Sequence, residues 1–281
     1  MNCLPRYGWP CCTRSMSETQ REGQMKYFGS GLSEIHKELS RMIRKTDRLE
    51  EAKQLFMELH GALHLTGMPG TDKADGDQRC QVPNEVDKLF NDLSADEYAV
   101  MPTAKDETIA WALWHIARIE DLTMGMLVAE QGQLFDQEWK ERMRASITDT
   151  GNALTDSEII GLSRELDIEE LLQYRNCVGI RTREIVTNLT PDDMKRRVSP
   201  VQLEQILKEG GVTKQEESLW LLDYWGQKDV AGLLLMPPTR HVILHLNDCC
   251  RWKEWIRTRK RKIWAPGDFK STHMGEGGNY S

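Results

Sequence analysis

Histidine is the residue type whose placement in this chain could do chemistry. Six of the seven histidines fall in stretches with helical periodicity, and four of them form two HxxxH pairs, His60/His64 and His241/His245. A spacing of four puts both rings of a pair on one helix face, where neutral imidazoles can share a divalent cation. His241 and His245 continue at the same spacing into Cys249, then Trp252 and Ile256, so the pair lies on an apolar stripe that should turn inward. His115 stands among Trp111, Ala112, Ile119 and Leu122, where an unpaired imidazole would be costly. Each feature has a plainer reading when taken alone. A core histidine is commonly satisfied by a carbonyl or a carboxylate, and an HxxxH without the zincin glutamate is a short motif. His60 and His64 share a face with Phe56 and Leu63 and could line a pocket, hold a second ion or simply cap the core. His36 and His273 read as surface and tail residues without a role.

These residues need helices to position them. Apolar residues recur at helical spacing from Leu32 to Leu63, which fits one long helix or two in succession. A polar loop follows, marked by Gly67, Pro69, Gly70, Gly76 and Pro83. Ser94 and Glu97 then form a capping box before a short helix. Residues 104–129 predict a central, mostly buried helix that opens on acidic residues. Thr155/Glu158 and Asp167/Glu170 repeat the capping pattern, and the helix from Asp167 should run to about Leu189, before Pro191. Shorter helices are expected at Gln202–Lys208 and Lys214–Trp225, and a last long one at Arg240–Lys260 behind Pro237 and Pro238. No alternating strand pattern appears. The expectation is an all-α four-helix bundle with short helices in the connections, a single domain over residues 30–262. Residues 1–28 read as a ragged N-terminus with Met16 or Met25 a candidate start, and residues 263–281 as a disordered tail.

Composition excludes several classes. The longest apolar runs are far too short to span a bilayer, and no apolar run follows the early basic residues as a secretory signal requires. Seven cysteines without a CxxC suit a reduced, cytoplasmic setting better than a disulfide framework or zinc ribbon. Net charge is −7, yet Arg251 to Lys262 carries seven basic residues against Glu254; removing that local +6 leaves −13 on the rest. An acidic body repels phosphate backbones, so the basic run reads as a solvated helix end rather than a nucleic-acid interface.

The segments DETIAWALWHIARIED and LLLMPPTRHVILHLND, with ELHGALH upstream, resemble the DinB-like superfamily of metal-binding four-helix bundles over roughly residues 45–256. The resemblance implies a zinc or nickel ion held by His115, His241 and His245. It also implies metal-dependent chemistry on a small molecule, either transfer or isomerisation with a low-molecular-weight thiol or hydrolysis. A non-catalytic metal-holding bundle is the third reading, and a homodimer the assembly left open. Three imidazoles leave coordination positions free, as in catalytic rather than structural sites. Thiol chemistry ranks first, with Arg118, Arg240 or Arg251 to hold its anionic parts, because no carboxylate stands at motif spacing to serve a hydrolase. Trp111 and Tyr224, with Trp114, Trp220 and Trp225, are candidate pocket walls that could equally be core. Glu120 and Asp121 offer two readings, a hydrogen bond that orients a ligand histidine or structural pairing with Arg118 and a neighbouring helix, and the pairing is expected; Cys249 is expected to be a buried thiol before a fourth ligand.

Overall fold

The computed structural model describes residues 28, 29, 31–66 and 83–264, with side chains as far as residue 259. The expectations for the polar loop after Gly67, for both ends and for His273 lie outside these residues. Among the described residues the protein is helical without strands, and Arg197 and Asp229 form an isolated antiparallel bridge. The helices are α1 (Leu32–Met42), α2 (Leu49–Gly61), α3 (Glu85–Phe90), α4 (Ala95–Tyr98), α5 (Ile109–Asp121) and α6 (Gln137–Arg142). They continue as α7 (Asp156–Glu165), α8 (Ile168–Asn188), α9 (Pro200–Lys208), α10 (Glu216–Gly226), α11 (Val230–Leu234) and α12 (Val242–Trp264). No helix among the described residues is long and apolar enough to cross a membrane.

The bundle closes as a ring in which α5 packs on α8 and α12, α8 on α2, and α2 on the turn that leads into α12. Every residue of α5 is buried, which explains why its sequence is apolar on all sides. Its start differs from the sequence expectation. Asp106 and Glu107 resemble an acidic first turn, but Thr108 is the cap: its side chain accepts the Trp111 N–H at 3.1 Å, so the helix begins at Ile109. At its other end α5 widens into a π-helical turn over Leu122–Val128.

A second π-helical turn, Met236–His241, precedes α12. Pro237 and Pro238 have no N–H to give an α-helical ladder, and the chain enters the last helix through a wider turn that ends on His241. The run from Leu32 resolves into two helices separated by a tight turn at Thr46–Arg48, and His64 lies just beyond the end of α2. The capping boxes at Ser94/Glu97 and Thr155/Glu158 form as expected, and one at Ser199/Gln202 with Pro200 in the first turn is added. The Asp167 side chain accepts from Glu170 N–H at 3.3 Å, but the Glu170 carboxylate serves Arg142 instead of closing the box. His36 is not a free surface residue: its Nε2 donates to the Leu235 carbonyl at 2.8 Å and ties α1 to the end of α11.

Candidate metal centre

His115, from the middle of α5, meets His241 and His245 at the head of α12. The ring centroids lie 5.0 Å (115 to 241), 4.9 Å (115 to 245) and 4.6 Å (241 to 245) apart. One donor atom from each falls within 4.8 Å of the others. His115 Nε2 and His241 Nε2 are 3.1 Å apart. A tetrahedral ion at its usual Zn–N distance holds its nitrogens about 3.3 Å apart, so the spacing suits joint ligation. Burial depresses the His115 pKa to about 4 despite the hydrogen bond to Thr150. Burial first, and then the neighbouring imidazoles, drive His241 and His245 well below the ordinary value. The three rings are neutral near pH 7 and present lone pairs without shedding protons. The Nδ1 atoms of His241 and His245 are buried without a hydrogen-bond partner.

The orientation of His115 is built into α5. Its Nδ1 donates to the Thr150 carbonyl at 2.8 Å, which leaves Nε2 facing the other rings as acceptor. The carbonyls on either side are held from the same helix. Arg118 donates to Thr148 O at 3.1 and 2.9 Å, Trp114 Nε1 to Asp149 O at 2.8 Å, and Trp111 Nε1 to Gly151 O at 3.0 Å. The WALWHIAR stretch thus holds four consecutive carbonyls with four side chains. Gly151 is needed there: its φ is +76°, and a Cβ would come within 2.8 Å of Trp111 Nε1. Arg118 is wholly buried in this role, also donating to Asp121, Gln133 and Tyr174, with its guanidinium 4.2 Å over the Phe135 ring.

The other HxxxH pair forms a separate buried cluster. His60 Nε2 donates to Glu120 Oε1 at 2.8 Å, His64 Nε2 lies 3.6 Å from Glu120 Oε2, and the two rings are 4.3 Å apart. Burial alone would raise the Glu120 carboxyl, but the two imidazoles beside it hold it well below the usual range. Of the expected structural pairing, Glu120 makes the part with a neighbouring helix, through His60 of α2 and His64 just beyond it, and not the part with Arg118. Asp121 does make the expected pair with Arg118, at 3.2 Å. These three side chains also have donor atoms within 4.8 Å of one another. Their hydrogen bonding suits a metal less well than the triad's. Arg183 Nε donates to His60 Nδ1 at 3.3 Å, which leaves the His60 proton on Nε2, where a ligand would need a lone pair. The HxxxH spacing announces His60 and His64, but no sequence motif announces Glu120 as their partner, since it lies 60 residues from His60.

A cavity of about 400 Å³ opens onto the triad. Trp111 and Tyr224 line it, joined by Trp220 and Trp225, whereas His60, His64 and Trp114 do not. Arg118, Arg240 and Arg251 are likewise absent from its lining: Arg118 is committed to the 148–151 carbonyls and Arg251 pairs with Asp248. Cys249 is buried, its thiol pushed far up by burial, and its sulfur is not among the converging donors.

No curated protein matches the chain. The family model described as the DinB superfamily matches residues 80–247, more than half of the chain, and its span takes in His115, His241 and His245 while leaving His60 and His64 outside. With an all-α bundle, the three histidines converging from its second and last long segments, and that match, the chain belongs to the DinB superfamily.

Proposed function

We propose that this protein binds one divalent cation, zinc or nickel, through His115, His241 and His245 and carries out chemistry on a small molecule in the adjoining cavity. The observation that carries the reading is the convergence of three neutral imidazoles, one of them oriented by the Thr150 carbonyl, at the wall of an aromatic cavity. A cation held there lowers the pKa of a coordinated water or thiol and so supplies a nucleophile at neutral pH. Trp111 stacks on His115 at 4.7 Å and 7° between planes, covering one face of that ring.

Between the two nucleophiles, the lining favours water. Most low-molecular-weight thiols of metabolism carry carboxylates or phosphates, and no lysine or arginine lines the cavity among the described residues, whose acidic lining is Glu107 and Asp248. The order set by sequence, thiol transfer ahead of hydrolysis, is therefore reversed in this proposal. Either acid could take up a proton from the reacting molecule.

The test is a metal analysis of protein purified without added metal or a histidine tag, repeated on alanine variants. One equivalent of ion is expected in the parent protein and in His60→Ala, and none in His115→Ala, His241→Ala or His245→Ala. Free metal a thousandfold above its dissociation constant stabilises the fold by about 4 kcal/mol if the unfolded chain binds little, so a chelator should lower the melting temperature visibly. Stoichiometric ion in His115→Ala together with its loss in His60→Ala would move the site to the His60/His64 cluster and overturn the assignment.

A further inference from the structure

Rings whose polar atoms are already in use form much of the cavity wall. The helix α10 supplies Trp220, Tyr224 and Trp225, and α5 supplies Trp111 and Ile119, one turn to either side of His115. Two of the indoles have no hydrogen bond left to offer. Trp111 Nε1 donates to Gly151 O at 3.0 Å, and Trp220 Nε1 donates to Glu217 O of its own helix at 3.0 Å. An indole has no other donor, so both can recognise a ligand only through their π-faces and ring edges. Trp220 and Tyr224 are half-buried, with ring centroids 6.2 Å apart and 65° between planes, and so present two differently turned rings side by side. The space they border, about 400 Å³, is in the range that encloses most of a drug-sized molecule.

The charged groups at the cavity already have partners. Asp248 is ion-paired with Arg251, Glu107 has an interaction of its own, and the three imidazoles are neutral near pH 7. The cations that reach the wall, Lys228 over the Tyr224 ring at 4.2 Å and Arg240 through its charge on Tyr224, are not part of the lining. An ammonium or a carboxylate entering this space would lose its hydration with no uncommitted charge of opposite sign to offset the loss. An uncharged ring gives up little on leaving water and gains contact with the α10 rings.

We infer that the cavity takes an uncharged molecule with a flat aromatic ring, the ring lying against Trp220 and Tyr224 and its polar reacting group toward the three histidines. The inference rests on the proposed function for what happens at the histidines, but the preference for an uncharged ring rests on the lining alone. The two therefore fail separately.

The experiment is calorimetric titration of the metal-free protein with four matched probes, 4-phenylbutanol, 4-cyclohexylbutanol, 4-phenylbutylamine and 4-phenylbutyrate, with zinc retention measured on the same preparation. The phenyl alcohol should bind about tenfold more tightly than the amine or the carboxylate, both of which enter charged. It should also bind about threefold more tightly than the cyclohexyl alcohol, although transfer from water alone favours the saturated ring. Trp220→Leu and Tyr224→Leu keep the wall apolar but remove a ring face; each should erase most of the phenyl-over-cyclohexyl preference while leaving the cyclohexyl alcohol's affinity in place. Trp139→Leu, on α6 and outside the lining, should change neither. Binding of the amine or the carboxylate as tight as that of the phenyl alcohol, a cyclohexyl alcohol that binds equally well or better, a phenyl preference that survives both leucine variants, or binding by none of the four overturns the inference. Failure to retain zinc, with the order of the probes intact, overturns only the proposed function.

Discussion

Replacing Gly179 of α8 by alanine sets two well-calibrated effects against each other. Alanine in a helix interior is favoured over glycine by about 1 kcal/mol, so propensity alone predicts a more stable protein. A Cβ on Gly179, however, would lie 2.5 Å from His64 Cε1 and 2.6 Å from its Nδ1. The ring is wholly buried with the His60 ring 4.3 Å away, so it has little room to retreat. Overpacking of this kind costs about 1–3 kcal/mol, and an approach this short to a rigid ring belongs in the upper part of that range. The expected result for Gly179→Ala is a net loss of about 1–2 kcal/mol, read from the urea midpoint at unchanged slope. In a His64→Ala background the obstacle is gone, and the same substitution should become neutral or stabilising, a reversal of sign that a double-mutant cycle resolves. Gly161 in α7 supplies the control: its Cβ would meet nothing within 4 Å, and Gly161→Ala should gain up to about 1 kcal/mol. A Gly179→Ala protein as stable as the parent, or a loss that persists in the His64→Ala background, would refute the placement of His64 against α8.

Two further outcomes follow from buried groups. In chelated protein the His115 pKa is depressed to about 4 by burial, while the unfolded chain takes up that proton near 6.5. The unfolded state therefore binds more protons between those values, and stability falls as the pH is lowered through that window, by about 3 kcal/mol from His115 alone, with little change above pH 7. Urea midpoints for the chelated protein that do not fall between pH 7 and pH 5 would contradict this. Arg118→Met removes the buried partner of Asp121 and both donors to Thr148 O, and a loss of about 3–5 kcal/mol is expected. Faster exchange of the Thr150 amide, which donates to Gly211 O, should accompany it; an unchanged exchange rate would show that the segment is held by other means.

Part of the triad was legible for a physical reason: His241 and His245 sit on a stripe that continues into Cys249, Trp252 and Ile256, so their inward direction could be read from spacing, whereas their union with His115 was implied by the family resemblance alone. The elements that orient the triad were hidden, because the acceptors at residues 148–151 are backbone carbonyls and leave no mark in the choice of side chain. For Glu120 a pairing with a neighbouring helix was legible but its partners were not, because nothing local signals His60 and His64. The start of α5 was set too early because acidic residues before a helix and inside its first turn look alike; Thr108, one residue before an unbroken apolar run, was the available clue. The wide turn at Met236–His241 follows from two adjacent prolines, which announce a helix start but not the width of the turn before it.

The run of carbonyls from Thr148 to Gly151 has a consequence for how this protein can change length. Each acceptor is claimed by its own side chain on a helix whose rise is fixed, so the segment and α5 are meshed like a rack with a pinion. An inserted or deleted residue within 148–151 would shift the mesh by one tooth, breaking all of the contacts together, and Gly151 would no longer fall where Trp111 requires it. The stretch before it, from the end of α5 through α6, meets no such rule outside its few anchored points. Length variation between relatives should therefore collect upstream of Thr148 and spare the four residues that follow.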